Sequence, residues 1–466
     1  MFKYISREPE FYKAVMELSI PMIIQNLINN SLITVDTFMV GSLGEAALSG
    51  VTLANTVFFV LSLINFGLQS GSMVLISQYW GKRDTAAINR ILGISFGIAG
   101  VISLITAIVV MMFPIQIYSL TSNDPQLVEV AAKFARIAAL SFFLNSMTMI
   151  YRAAQRAMGD TKPGMRILII TVSINTLLNW LLIYGHLGFP ALGVEGSALA
   201  TLISRVVEVV LTAFNAFRYE RFRLNLKLML RPGLVIVKDF ARYSAPVVVN
   251  ETLWSAGFSM YAVIIGHLPD AVTAVAAYTI AITLERLISG IYFGVGSTAA
   301  VMVGMPLGSG DKEKAHSAGI TLLALTLGFG IVLGLLMLLL TNLLIEPYIF
   351  PLFVSSDETI RIGKFMLIVL AVAMPFKSFN FCAIVGVLRG GGDVKAGAML
   401  DLCTMYAVSL PLSALAGLVF GAPIYLVYLL INSEEIIKSV LSFWRLSKKK
   451  WLQNVTRSNL ECKEPV

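Results

Sequence analysis

Asp36 sits inside Ala14 to Val40, a stretch long and apolar enough to cross a membrane. A carboxylate there is costly unless it faces a cavity, an ion or a partner, so its presence needs a chemical reason. Gln25, Asn26, Asn29, Asn30, Ser31 and Thr34 add a polar stripe to the same segment, and Pro21 breaks it early. Such a helix lines water. On a later apolar segment Asn175 and Asn179 lie one helical turn apart. With Asp36 they offer oxygens for Na+, or a carboxyl that titrates as a proton carrier. The alternative is a structural aspartate bonded to backbone freed by the helix break. Thr201, on another apolar segment, either supplies a further oxygen or serves helix packing.

A second set of ionisable residues falls in the other half of the chain. Glu251 follows Asn250 about one turn after Pro246 and occupies the place that Asn26 has in the first half. It reads either as a proton or cation site or as the ion-pair partner of Lys377. Asp401 is open to the same two readings. Arg205 and Glu208, three residues apart, read as a structural pair, and the adjacent Glu285 and Arg286 satisfy each other or a neighbouring helix. Glu434, Glu435 and Lys438 lie near the polar Asn432 and Ser433, with one of the acids a candidate for the cavity. Gln25, Asn26, Asn30, Thr34, Lys377 and Asp401 are the candidates for substrate contact. The repeated Gly-Asp-x-Lys loops at Gly159 and Gly392 lack the P-loop pattern and a preceding strand, so they read as tight turns rather than phosphate cradles.

Positioning these groups is the task of an all-α integral membrane protein. The chain is 57% hydrophobic and 13% charged, against roughly 25% charged in soluble domains. About twelve spans can be traced: 14–40, 46–78, 91–116, 128–151, 165–185, 196–217, 240–266, 271–303, 317–345, 362–388, 396–418 and 423–444. The net charge of +8 comes from Lys and Arg gathered in alternate connections and both tails. That pattern places both termini in the cytoplasm and argues against nucleic acid as a partner. Cys382, Cys403 and Cys462 have no paired or metal-type spacing, and the N-terminus lacks the features of a signal peptide.

The halves before and after the polar stretch 218–239 repeat each other. Ser19-Ile20-Pro21 returns as Ser244-Ala245-Pro246, and the run from Val74 to Asp84 aligns with Val301 to Asp311. Arg156-Ala157-Met158-Gly159-Asp160 likewise aligns with Arg389-Gly390-Gly391-Gly392-Asp393. The repeats run in the same order and direction, predicting two pseudo-symmetric six-helix lobes, 1–217 and 240–446, a linker 218–239 and a cytoplasmic tail 447–466.

These motifs resemble the multidrug and toxic compound extrusion (MATE) family. The resemblance rests on Pro21 with Val35-Asp36-Thr37-Phe38-Met39-Val40-Gly41 and Ala46-Ala47-Leu48, on Gly81-Lys82-Arg83-Asp84, and on Arg156 to Lys162 and Arg389 to Lys395. The run Gly188-Phe189-Pro190-Ala191-Leu192-Gly193 belongs with them. It implies a secondary antiporter of the bacterial cytoplasmic membrane that exports organic cations and amphipathic drugs in exchange for inward H+ or Na+ by alternating access, with no other cofactor. It also implies a monomer embedded in the lipid bilayer. In the family's pattern Asp36 matches the first-helix aspartate and Glu251 the seventh-helix glutamate. Asn179 stands where a second carboxylate is common, and Lys377, Ser378 and Asn380 occupy the region of a tenth-helix aspartate. The alternative is a lipid-linked precursor flippase of the related superfamily, for which Lys377, Arg205 and Arg286 are the central cations able to meet a pyrophosphate. An enzyme is disfavoured, because no catalytic triad, metal cluster or nucleotide motif is legible.

Overall fold

Long runs of Leu, Ile, Val, Ala and Phe, punctuated by Gly, Asp and Pro, favour helices because a helix satisfies its own backbone groups where water is absent. The computed structural model describes residues 4–350 and 356–457, with no strand among them. Twelve long helices follow one another in the described residues: α1 (Pro9–Gly41), α2 (Glu45–Gly81), α3 (Thr85–Met112), α4 (Pro125–Ala157), α5 (Lys162–Tyr184) and α6 (Gly193–Arg218). The second series is α7 (Leu234–Gly266), α8 (Ala271–Ser309), α9 (Lys312–Tyr348), α10 (Asp357–Leu388), α11 (Val394–Val419) and α12 (Ile424–Ser447). Ten of the helices are both long and apolar enough to cross a membrane. α4 and α12 fall outside that group on composition, not length: at 33 and 24 residues they can span about 30 Å of hydrocarbon. Their sequences carry Glu129, Lys133, Arg136, Arg152 and Arg156, and Glu434, Glu435, Lys438 and Arg445.

The sequence repeat is reproduced in backbone detail. Asp84 caps α3 by accepting from the Ala87 amide at 2.9 Å, and Asp311 caps α9 by accepting from the Lys314 amide at 2.9 Å. The preceding residue is left-handed in both turns, Arg83 at φ 64° and Gly310 at φ 92°. Glycine takes that conformation without strain, whereas arginine does not. The Gly-Asp-x-Lys turns match in the same way. Gly159 and Gly392 have φ 80° and 84°, and the Asp160 and Asp393 amides each donate back into the preceding helix at 2.9 Å. These loops close helix ends, as the missing P-loop pattern implies.

The chain packs as two compact units. Among the described residues, the N-unit is Ile24–Val248, and the C-unit takes in the chain up to Ile23 and from Val249 onward. The division therefore falls inside α1 and α7, two residues beyond Pro21 and Pro246. Each proline removes one backbone hydrogen bond from its helix. In the N-unit α4 lies along α2, α3 and α6, while α5 pairs with α6 around a core that includes Val51, Leu61, Tyr118, Phe134 and Phe142. In the C-unit α10 packs on α8, α9 and α12. There the tail folds back, burying Trp451 against Gly319 and Gly391.

The contact between α9 and α10 depends on two small residues. A Cβ on Gly334 would lie 2.4 Å from the Ala371 carbonyl oxygen, and one on Gly330 would lie 2.7 Å from the Pro375 Cα. Spaced four apart, they let the two backbones approach where lipid gives helices no hydrophobic reason to associate. We expect Gly334→Leu to destabilise the protein by about 1–3 kcal/mol, read as a lower thermal midpoint in detergent. Gly328→Ala on the same helix, where a Cβ meets open space, should leave the midpoint unchanged. Equal midpoints for the two variants would show that the α9–α10 approach is not tight.

Candidate functional site

Two polar clusters interrupt the apolar packing, one in each unit. In the N-unit α1 brings Asp36 beside α5, where the Asn179 Nδ2 donates to Asp36 Oδ1 at 2.6 Å and approaches Asn175 Oδ1 at 3.3 Å. The i, i+4 spacing puts both amides on one face of α5, as the sequence implies. Asn175 and Asn179 are buried and Asp36 is half-buried. Asn179 Oδ1 has no hydrogen-bond partner. One carboxylate and two amide oxygens are thus gathered where a hard cation or a proton would be held through oxygen.

The other N-unit candidates divide. Gln25 is buried and donates to the Thr161 carbonyl at 3.1 Å, so it ties α1 to the α4–α5 turn and not to Asp36. Thr34 returns its hydroxyl to the Asn30 carbonyl at 3.0 Å. Asn26, Asn30 and Thr201 are half-buried, and Thr201 is not hydrogen-bonded to the Asp36 group. Arg205 pairs with Glu208 at 2.5 Å, as the spacing suggests. The sequence reading missed the third member: Arg152 reaches Glu208 from α4 at 3.3 Å, and both are buried.

The C-unit cluster corrects one expected partner. Glu251 pairs with Arg389 at 2.7 Å, not with Lys377, which instead pairs with Glu285 of α8 at 2.6 Å. Arg389 directly follows the apolar span 362–388, where the Lys and Arg pattern counts it with a connection. It is only 2% exposed, because α10 continues as a buried π-helical stretch, Cys382–Leu388, up to that residue. Asp401 pairs with Lys438 at 2.8 Å and accepts from Asn250 Nδ2 at 3.1 Å. Asn380 donates to Glu435 Oε2 at 2.7 Å and accepts from Ser439 at 2.9 Å. Glu251, Asp401 and Glu285 therefore each hold a base of their own, which offsets the cost of removing them from water. Asp36 makes no ion pair of that kind among the described residues and leans on amides.

Among the described residues no group of three or more His, Cys, Asp or Glu could hold a metal ion together. Cys382 and Cys403 are free thiols.

The comparisons with known proteins agree with this picture. A probable multidrug resistance protein NorM of Thermotoga maritima is 24% identical over 469 residues, covering 100% of this chain and 99% of its own. An uncharacterized transporter, YisQ of Bacillus subtilis, is 22% identical over 90% of each chain. The solved structure of the eukaryotic MATE transporter AtDTX14 superposes with TM-score 0.82 at 21% identity over 96% of this chain and 97% of its own. A MOP superfamily transporter from Pyrococcus furiosus, described as having a binding pocket of reverse polarity, superposes with TM-score 0.82 at 20% identity over 94% and 95%. These structural likenesses carry the fold alone. The MatE family model matches twice, at residues 21–181 and 246–415, one match for each half of the repeat and together more than half of the chain. With twelve long helices, the duplicated turns and this double match, the chain belongs to the MatE family of multidrug and toxic compound extrusion transporters.

Proposed function

We propose that this protein is a secondary antiporter that exports organic cations or amphipathic drugs in exchange for inward H+ or Na+. Asp36 binds the coupling ion, with Asn175 and Asn179 beside it. The observation that carries the reading is the Asp36–Asn179 bond of 2.6 Å. A carboxylate in a membrane-spanning helix is held by a neutral amide and so keeps a charge for a transported cation to neutralise. An ion and a drug that favour different conformations of one protein exchange by differential affinity alone, which is the thermodynamic content of alternating access. The Lys and Arg distribution supports cytoplasmic termini.

The flippase alternative loses support at two of its three cations. Lys377 is paired with Glu285 and Arg205 with Glu208. A pyrophosphate would have to displace these carboxylates before it met either charge. Cells expressing the wild-type protein should accumulate less ethidium than cells without it, and cells expressing Asp36→Asn at the same level should resemble the latter. Full activity of the variant would remove Asp36 from the mechanism.

A further inference from the structure

The connection between α6 and α7 is fastened to the N-unit rather than hanging free. Asn89 on α3 holds it by two bonds: its Oδ1 accepts from the Asn225 amide at 2.8 Å, and its Nδ2 donates to the Arg223 carbonyl at 3.2 Å. Asn225 in turn caps a one-turn helix, Leu226–Leu230, by accepting from the Leu228 amide at 3.2 Å. Gly93, one turn further along α3, lets the Met229 backbone lie directly against it, where a Cβ would clash with the Met229 carbonyl. Phe222 is buried at the start of the segment. The segment is thus fixed to the first turns of α3, between the end of α6 and the start of α7, all within the N-unit.

Outward, this fixed segment presents bases and leucines together. Arg221, Arg223, Lys227, Arg231 and Lys238 are exposed, and no acid occurs between Arg221 and Lys238. Among the described residues none of these bases is in an ion pair. Leu226, Leu230 and Leu234 are 67%, 82% and 77% exposed beside them. Leu226 and Leu230 lie one turn apart on the short helix, and Lys227 and Arg231 directly follow them in the chain. Orienting membrane helices needs charge alone, so the positive-inside pattern explains the bases but not leucines held out next to them. Leucines so placed are unfavourable in water and favourable at the acyl boundary of a bilayer, where Lys and Arg stems lie along apolar surface and their charged heads reach the headgroups.

We propose that the stretch 221–238 is a binding surface for anionic phospholipids, with Leu226, Leu230 and Leu234 in the acyl boundary and Arg221, Arg223, Lys227 and Arg231 on the phosphodiester groups. Guanidinium groups meet phosphate oxygens through paired N–H donors. A basic segment next to a membrane helix attracts an anionic leaflet in proportion to its charge. Net charge selects the lipid: in a zwitterionic headgroup the choline cation cancels the phosphate, and in an anionic one nothing does. A soluble phosphate would meet the bases and leave the leucines in water, so a lipid is the occupant that satisfies both. Because the segment is clasped to α3, a lipid bound there ties α3, α6 and α7 to one leaflet. The surface lies apart from Asp36 and does not depend on the antiport reading.

The test uses the full chain in detergent. Phosphatidylglycerol should raise the thermal midpoint of wild type in a saturable way, because a ligand of the native state stabilises it, and phosphatidylcholine should not. The variant carrying Arg221→Gln, Arg223→Gln, Lys227→Gln and Arg231→Gln should need about tenfold or more phosphatidylglycerol for the same rise. Lys312→Gln with Lys314→Gln, which removes exposed bases of the C-unit, should titrate like wild type. An equal rise with phosphatidylcholine or with inorganic phosphate, or a quadruple variant that titrates like wild type, would overturn the proposal. A second measurement leaves the bases in place: a nitroxide on Leu230→Cys, with the native cysteines replaced, in vesicles of phosphatidylcholine and phosphatidylglycerol. Oxygen, which concentrates in lipid, should relax it more than a water-soluble nickel chelate does. The reverse order would place Leu230 in water and overturn the proposal as well.

Discussion

Replacing Arg389 with methionine is expected to destabilise the protein by about 3–5 kcal/mol, because it leaves the Glu251 carboxylate buried without its base. The pair is close, at 2.7 Å, and Arg389 is almost wholly enclosed. Glu251→Gln alone should also destabilise, since the buried guanidinium loses its carboxylate at 2.7 Å. The double variant Glu251→Gln with Arg389→Met removes both charges and should recover most of the loss, because replacing a buried pair by neutral groups is often close to neutral. For a unit of this size the single-variant loss corresponds to a fall on the order of 10 °C in the thermal midpoint. Additive losses in the double variant would show that the two side chains act independently. Lys377→Met is a useful control: it strands Glu285, not Glu251, so Glu251→Gln should not rescue it.

Asp36→Asn is expected to reduce gradient-driven export by about 5- to 150-fold, the range of an ordinary coupling free energy, while leaving the thermal midpoint nearly unchanged. Asparagine keeps the size of the side chain and one oxygen to accept the Asn179 amide, so the α1–α5 contact persists. The charge that a cation would neutralise is lost. Asn179→Ala acts differently, since it removes the 2.6 Å bond and leaves the carboxylate. It should weaken the apparent affinity for the coupling ion while retaining some export at high ion concentration. Efflux assayed at several ion concentrations separates the two variants. Identical behaviour would mean that Asn179 only shapes the helix contact.

The helices were legible in the sequence because membrane spans are written in length and apolar composition, and the repeat because its turns need particular residues. Asp84 and Asp311 cap helices, and Gly159 and Gly392 take left-handed backbone, so the motifs that revealed the duplication are those that the local geometry requires. The Asp36, Asn175 and Asn179 grouping was legible through i, i+4 spacing on one helix and an acid on another. Two ion-pair partners, Arg152 of Glu208 and Arg389 of Glu251, were not. Arg152 and Arg389 stand near the ends of apolar runs, where the positive-inside pattern counts them with the loops, yet α4 runs on to Ala157 and α10 to Leu388, and both side chains are buried. Glu251 had several bases to choose from in its half of the chain, and composition cannot rank distances. Glu434, Glu435 and Lys438 were visible as a group near Asn432 and Ser433. That Lys438 sits nearer to Asp401 is a property of tertiary packing alone.

The central claim is that an ion gradient drives export through Asp36. Its most direct test is ethidium transport by purified protein in proteoliposomes, with Na+ and pH gradients imposed separately, comparing wild type with Asp36→Asn. The expected result is that one gradient drives wild-type transport against the dye gradient, and that Asp36→Asn, folded and reconstituted equally well, no longer responds to it. Wild-type protein that moves the dye under neither gradient, or an Asp36→Asn variant as fully driven as wild type, would contradict the account.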